Sequence, residues 1–206
     1  MNRLIKYIPA IIIFSSLLFP VKTVAQIQLL DSLSLEHAEE YDNLDSALKE
    51  PDMVVKLVLR KNKLKEFPTQ IFQLKNLQYL DLSKNKIKEI PDGIGQLQNL
   101  QTLILSKNNL EYLPQDIGQL KNLKVLIVNQ NDLILIPSQI GSLENLVYLD
   151  LWSNNLSTLP EEIENLKKLK EVDLRVILLN DAEQEKIKSY LPNATVYFSP
   201  SCKCKQ

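Results

Sequence analysis

A block of 23 residues that recurs five times constrains this chain more than anything else in it. The clearest copy runs from Leu77 to Asn99, LQYLDLSKNKIKEIPDGIGQLQN, and further copies begin at Leu100, Leu123 and Leu146. A looser copy precedes them at Val54, and a decaying sixth begins at Leu169. A short fixed period means stacked units, each burying its apolar side only against its neighbours.

Counted from the first leucine of a copy, apolar residues fall at offsets 0, 3, 5, 10, 13, 17 and 20. Leu103 and Leu105 alternate with outward positions, which is the period of a strand. Pro114, Ile117 and Leu120 are spaced by three, which is the period of a tight helical turn. Proline is expected to open that turn, where its missing N–H costs nothing. Each unit therefore reads as a short strand, a bend, and a turn of helix or 3₁₀ on the opposite side. Asn62, Asn85, Asn108, Asn131 and Asn154 form a column at the bend. A side-chain amide can satisfy both buried N–H and buried C=O groups there, so the column reads as structural. The four glycines, Gly93, Gly95, Gly118 and Gly141, fall in the helical-turn segments.

These residues resemble the leucine-rich repeat family, in its 23-residue form LxxLxxLxLxxNxLxxLPxxIgxLxx, over Val54 to about Leu179. The flanks are similar to those of secreted leucine-rich repeat proteins of pathogenic spirochaetes: Tyr41-Asp42-Asn43-Leu44-Asp45-Ser46-Ala47-Leu48 before the array, and Leu179-Asn180-Asp181-Ala182-Glu183, Leu191-Pro192-Asn193 and Val196-Tyr197-Phe198 after it. The resemblance implies an α/β class solenoid, curved, with a parallel sheet on its concave face and short helical or 3₁₀ turns on its convex face. It also implies protein–protein recognition, without a shared enzymatic activity.

Around the array, residues 1–25 read as a signal peptide. Arg3 and Lys6 precede an apolar stretch from Tyr7 to Val21, and Ala25 is placed for cleavage before Gln26. At 15 residues, interrupted by Pro9 and Pro20, the stretch is short for a membrane span of about 20 residues, which leaves an uncleaved anchor as the alternative. The expected location is exported: secreted, periplasmic or cell-surface. Residues 26–53 are expected to cap the first repeat with a short helix begun by Asp42 or Asn43. The repeats fill 54–179, five full and one partial, with Ile177 where asparagine belongs in the last. Residues 180–198 read as a cap helix and strand, Asn180 and Glu183 forming a capping box, and 199–206 as a flexible tail. Cys202 and Cys204, both in that tail, do not make a disulfide scaffold.

Equivalent residues of successive units lie about 4.8 Å apart on adjacent strands. Side chains at offsets 2, 4 and 6 should leave the open face of the sheet. There Ile104, Val125, Ile127, Tyr148 and Trp152 fall on three consecutive strands, with Tyr79 and Arg175 at the margins. A contiguous apolar and aromatic cluster on a solvated face is what a protein-binding site requires; the competing reading is that such residues merely suit strands. Charged residues flank the cluster, Lys56, Arg60 and Lys61 at one end and Asp150, Glu171, Asp173 and Arg175 at the other. Stacked carboxylates at Asp150 and Asp173 suggest a weak cation site, but salt bridges to a partner are the better reading.

Chemistry finds no foothold. The single histidine, His37, precedes the repeats and has no nucleophile near it, and no GxSxG, HExxH or phosphate-cradling glycine loop occurs. Neither a cofactor nor a resident metal is expected. The net charge is −1, and losing the three cations of the first 25 residues takes it to −4, which gives no support for nucleic-acid binding. The sequence thus reads as a monomeric, non-catalytic interaction scaffold for a protein partner, a glycan being the other ligand class. A structural or envelope-associated protein without a dedicated ligand is the alternative. Sequons at Asn155 and Asn193 carry meaning only in a glycosylating host.

Overall fold

The computed structural model describes residues 28–200. The proposed signal peptide, its cleavage point, Cys202 and Cys204 lie outside the described residues. Eight strands form one parallel sheet in chain order: β1 (Glu40–Tyr41), β2 (Lys56–Val58), β3 (Tyr79–Asp81), β4 (Thr102–Ile104), β5 (Val125–Ile127), β6 (Tyr148–Asp150), β7 (Glu171–Leu174) and β8 (Thr195–Phe198). From β2 to β7 every partner is 23 residues away, as in Lys56 with Tyr79 and Thr102 with Val125. The sheet is open, and 3₁₀ turns such as Gln115–Gln119 and Ser138–Ser142 form the opposite side. The architecture is a leucine-rich repeat solenoid.

The core is the column structure made solid. Leu80, Leu103, Leu126 and Leu149 line up on successive strands at no more than 1% exposure. Each such leucine contributes roughly 1.5–3 kcal/mol through burial. The bend is held by the asparagine ladder. Asn108 Nδ2 donates to Leu82 O at 3.0 Å and Leu105 O at 2.9 Å, and its Oδ1 accepts from Ile87 N at 3.0 Å. Asn85, Asn131 and Asn154 repeat this pattern. Asn62 does not, and it is exposed. It begins the series, so no earlier bend lies beside it to bond.

Proline sits one residue earlier than expected. Pro114, Pro137 and Pro160 occupy the N-cap, extended, and each carbonyl accepts the first turn bond, as in Ile117 N to Pro114 O at 3.1 Å. After Pro91 the turn starts later, at Ile94–Gln96, because Gly93 at φ 94° inserts a left-handed step. Gly95, Gly118 and Gly141 share one column where coils nearly touch: a Cβ on Gly141 would lie 2.2 Å from Glu162 O.

Helix α1 (Ser32–Glu36) precedes β1, and α2 (Leu44–Ala47) follows it, with Asn43 as its N-cap and Ala47 fully buried. At the other end α3 (Asp181–Tyr190) lays Ile187 on the last repeat. Asn180 Oδ1 accepts from Glu183 N at 2.9 Å, but the return bond of a capping box is absent. Glu183 Oε1 instead accepts the Thr158 hydroxyl, which ties α3 to the preceding repeat. No helix among the described residues is long and apolar enough to cross a membrane.

Candidate protein-binding face

Strand alternation puts the candidate side chains on the open face of the sheet. Ile104 lies directly across from Ile127, and Val125 across from Tyr148. All four are half-buried, as are Trp152, one residue past β6 and its successor Leu151, and Tyr79 on β3. Arg175 is exposed just after β7. The structure therefore brings Ile104, Val125, Ile127, Tyr148 and Trp152 together on β4–β6, with Tyr79 and Arg175 at the two ends.

The charges among them are already occupied. Asp81, Asp150 and Asp173 share the outward column, yet each is buried, because one carboxylate oxygen turns back onto the backbone two residues on. Asp81 accepts from Ser83 N at 2.7 Å, Asp150 from Trp152 N at 3.0 Å, and Asp173 from Arg175 N at 3.0 Å. The second oxygen of Asp150 accepts the Asn129 amide, and both oxygens of Asp173 accept from Arg175 Nε, one of them also from Nη2 at 2.6 Å. The two stacked carboxylates thus have protein partners, Asn129 and Arg175. Among the described residues no cluster of metal-ligating side chains forms. Burial pushes the Asp150 carboxyl up. Burial also works on Asp173, but the hydrogen bonds from Arg175 outweigh it and hold that carboxyl down. The Tyr79 and Tyr148 phenols are pushed up by burial and then by nearby carboxylates, so both stay protonated at neutral pH.

The N-terminal side of the face is covered by the chain itself, which the repeat pattern did not reveal. Gln78 and Gln101, one residue before their strands' outward columns, are 1% and 2% exposed. Leu30 N donates to Gln78 Oε1 at 2.8 Å, and Gln101 Nε2 donates to Leu30 O at 2.9 Å. Gln78 Nε2 reaches Gln28 O at 3.2 Å. From there Asp31 caps α1, and Leu35 and Glu36 face Tyr79, Thr102 and Val125 across a cleft of about 200 Å³. Lys56, read from sequence as a free flanking charge, bonds Glu36 O at 3.1 Å and Glu40 at 3.3 Å, and lies 5.3 Å from the Tyr79 ring centre. Tyr79 and Val125 therefore border a strap of residues 28–36. Ile104, Ile127, Tyr148 and Trp152 are not among the residues lining that cleft. Two consecutive glutamines at one repeat offset were the only hint in the sequence. A groove of about 800 Å³ lies elsewhere, on the ledge beside the first two repeats.

One face of the parallel sheet is covered by the 3₁₀ turns of its own repeats, and the other is left open beyond the strap. The family model for a leucine-rich repeat region matches residues 57–194. The chain belongs to the leucine-rich repeat family. A leucine-rich repeat protein of Leptospira interrogans is 36% identical over 79% of this chain, with a TM-score of 0.64. This chain spans 48% of that protein's length. Internalin C2 of Listeria monocytogenes is 25% identical over 79% of this chain and 68% of its own, with a TM-score of 0.63. The plant peptide hormone receptor RGFR1, in complex with RGF2, is 35% identical over 60% of this chain and 20% of its own, with a TM-score of 0.52. No curated protein matches the chain.

Proposed function

We propose that this protein is an exported, monomeric, non-catalytic scaffold that binds a protein partner through the uncovered part of its concave sheet. Ile104, Ile127, Tyr148 and Trp152 form the anchor, Val125 joins it beside the strap, and Tyr79 and Arg175 bound it. One observation carries the reading: half-buried apolar and aromatic side chains on three adjacent strands lie in register on a face that no repeat covers. Tyr and Trp at the centre of a patch, with polar groups satisfied around them, match the anatomy of protein interfaces. The plant receptor solved with RGF2 offers a precedent for ligand binding on this fold. Export rests on the basic, then apolar, then small-residue order of the first 25 residues.

Ile127→Asp and Trp152→Ala test the face. Both should keep the circular dichroism and melting temperature of the parent while losing a partner recovered from host or envelope extracts. Recovery of the same proteins by both variants would falsify the assignment. Export is tested by cell fractionation and N-terminal sequencing of the processed chain. A cytoplasmic chain still beginning at Met1 contradicts it.

A further inference from the structure

We propose that the ledge at the N-terminal end of the solenoid binds a sulfated polysaccharide, through residues other than those of the concave anchor. Four residues carry the chain from each strand into its bend. They read Arg60-Lys61-Asn62-Lys63, Ser83-Lys84-Asn85-Lys86 and Ser106-Lys107-Asn108-Asn109 in the first three repeats. These windows hold six cations and no acid. The next three windows, beginning at Asn129, Trp152 and Arg175, hold only Asp132 and Arg175 as charged residues. The basic charge therefore belongs to one end of the array.

Stacking turns these windows into a row. Lys61 N bonds Ser83 O at 3.1 Å, Lys84 N bonds Ser106 O at 2.8 Å, and Lys107 N bonds Asn129 O at 2.9 Å. Successive lysines of this column are thus lateral neighbours, at the strand spacing of about 4.8 Å. All three adopt the left-handed backbone, at φ 63°, 58° and 58°. Asparagine or glycine would suit that conformation better than lysine, so local backbone preference does not account for lysine here. None of the six cations forms an ion pair with a described residue. Like charge acts on them instead: Arg60 above all, with burial, Lys61 and Lys107 behind it, holds the Lys84 ammonium below the usual lysine range.

Lys86 and Asn109 of these windows also line a groove of about 800 Å³, together with Lys65, Lys88 and Thr69 and with the acids Glu66 and Glu89. Ammonium groups beside a hydroxyl and an amide offer partners for sulfates and for sugar hydroxyls together. The windows contain no aromatic residue, so the stacking platforms of single-stranded nucleic-acid sites are missing. A planar layer of lipid headgroups cannot enter a groove, whereas a single anionic chain can.

Binding of the full-length protein to immobilised heparin tests this. The parent should bind, with affinity falling steeply as salt rises. The combined variant Lys61→Asn, Lys84→Asn, Lys107→Asn suits the left-handed backbone, so its melting temperature should hold while its affinity falls about tenfold or more and its salt dependence flattens. The corresponding arginine variant should bind within about threefold of the parent, since the charge is kept. Unchanged binding by the asparagine variant overturns the proposal. So does equal binding of desulfated heparin, or of single-stranded DNA, polyglutamate or anionic phosphatidylserine vesicles at matched charge. Trp152→Ala should leave heparin binding intact; loss there would place the site on the concave face instead.

Discussion

Gln101 Nε2 lies 2.9 Å from Leu30 O and 2.7 Å from Gln78 Oε1, so one buried amide joins two repeats and the chain's own leading segment. Leu30 thereby has both its N–H and its C=O read by side chains of the repeats. The strap rests on these bonds, on those from Gln78 to Gln28 O and from Lys56 to Glu36 O, and on Leu35, since Leu33 beside it is 67% exposed. Gln101→Ala should free residues 28–36 while leaving the repeats folded. Hydrogen exchange at Leu30 should accelerate by about tenfold, and the amides of Leu103 and Leu126 should be unaffected. Equal acceleration in the strands would mean that the strap is part of the global folding unit.

The asparagine ladder predicts a sharp contrast within one column. Asn108→Ala removes three buried bonds; the Leu82 and Leu105 carbonyls keep donors from Asn85 and Asn131, but the Ile87 N–H is left without a partner. It should cost about 2–4 kcal/mol in urea unfolding. Asn62→Ala, at the exposed start of the column, should cost less than about 0.5 kcal/mol.

Close coil packing makes one glycine column intolerant of a methyl group. Gly141→Ala puts a Cβ against the backbone oxygen of Glu162, and the coils must separate. A loss of about 1–3 kcal/mol is expected. Gly95→Ala meets only side-chain atoms of Gln119; its amide end can rotate away but its Cβ, at 2.8 Å, must shift, so the cost should be smaller than at Gly141 without vanishing. Thermal unfolding of the two variants decides the point.

The stacked carboxylates predict opposite pH behaviour. The Asp173 carboxyl is lowered on folding, so its stabilisation is present above the unfolded value of about 3.9 and is lost as pH falls through the folded value. Asp173→Asn should lose about 0.5–1 kcal/mol at pH 7, the scale of an exposed ion pair, and the deficit should vanish near pH 2. The Asp150 carboxyl is raised, so its ionisation opposes folding above the unfolded value. Asp150→Asn should therefore compare more favourably with the parent at pH 7 than near pH 2. Urea midpoints at the two pH values give the comparison, and identical pH profiles for both variants would contradict it.

How far the sequence reached depends on the distance a residue's partners lie from it in the pattern. Leu103, Asn108 and Ile127 have partners 23 or so residues away in equivalent positions, so their places in the coil follow from the repeat. Lys56 and Asp150 read from the pattern only as charges flanking the cluster. Their orientation depends on a hydrogen bond to Glu36 O in one case and to Trp152 N in the other, and periodicity says nothing of side-chain rotamers. The strap was missed because residues 28–36 belong to no repeat and meet Gln78 and Gln101 from 48 to 71 positions away.

Periodicity alone determined the class of fold, the order and register of the strands, and which leucines are core, because a 23-residue repeat leaves each unit only its neighbour to pack against. The partners of the polar groups were decided by the folded chain: which carboxylates turn inward, which part of the sheet the leading segment covers, and that lysines scattered through three repeats stand side by side. Hydrophobic burial follows composition and spacing, whereas a hydrogen bond or a charged surface depends on the separation of particular atoms, and those separations exist only once the coils are stacked.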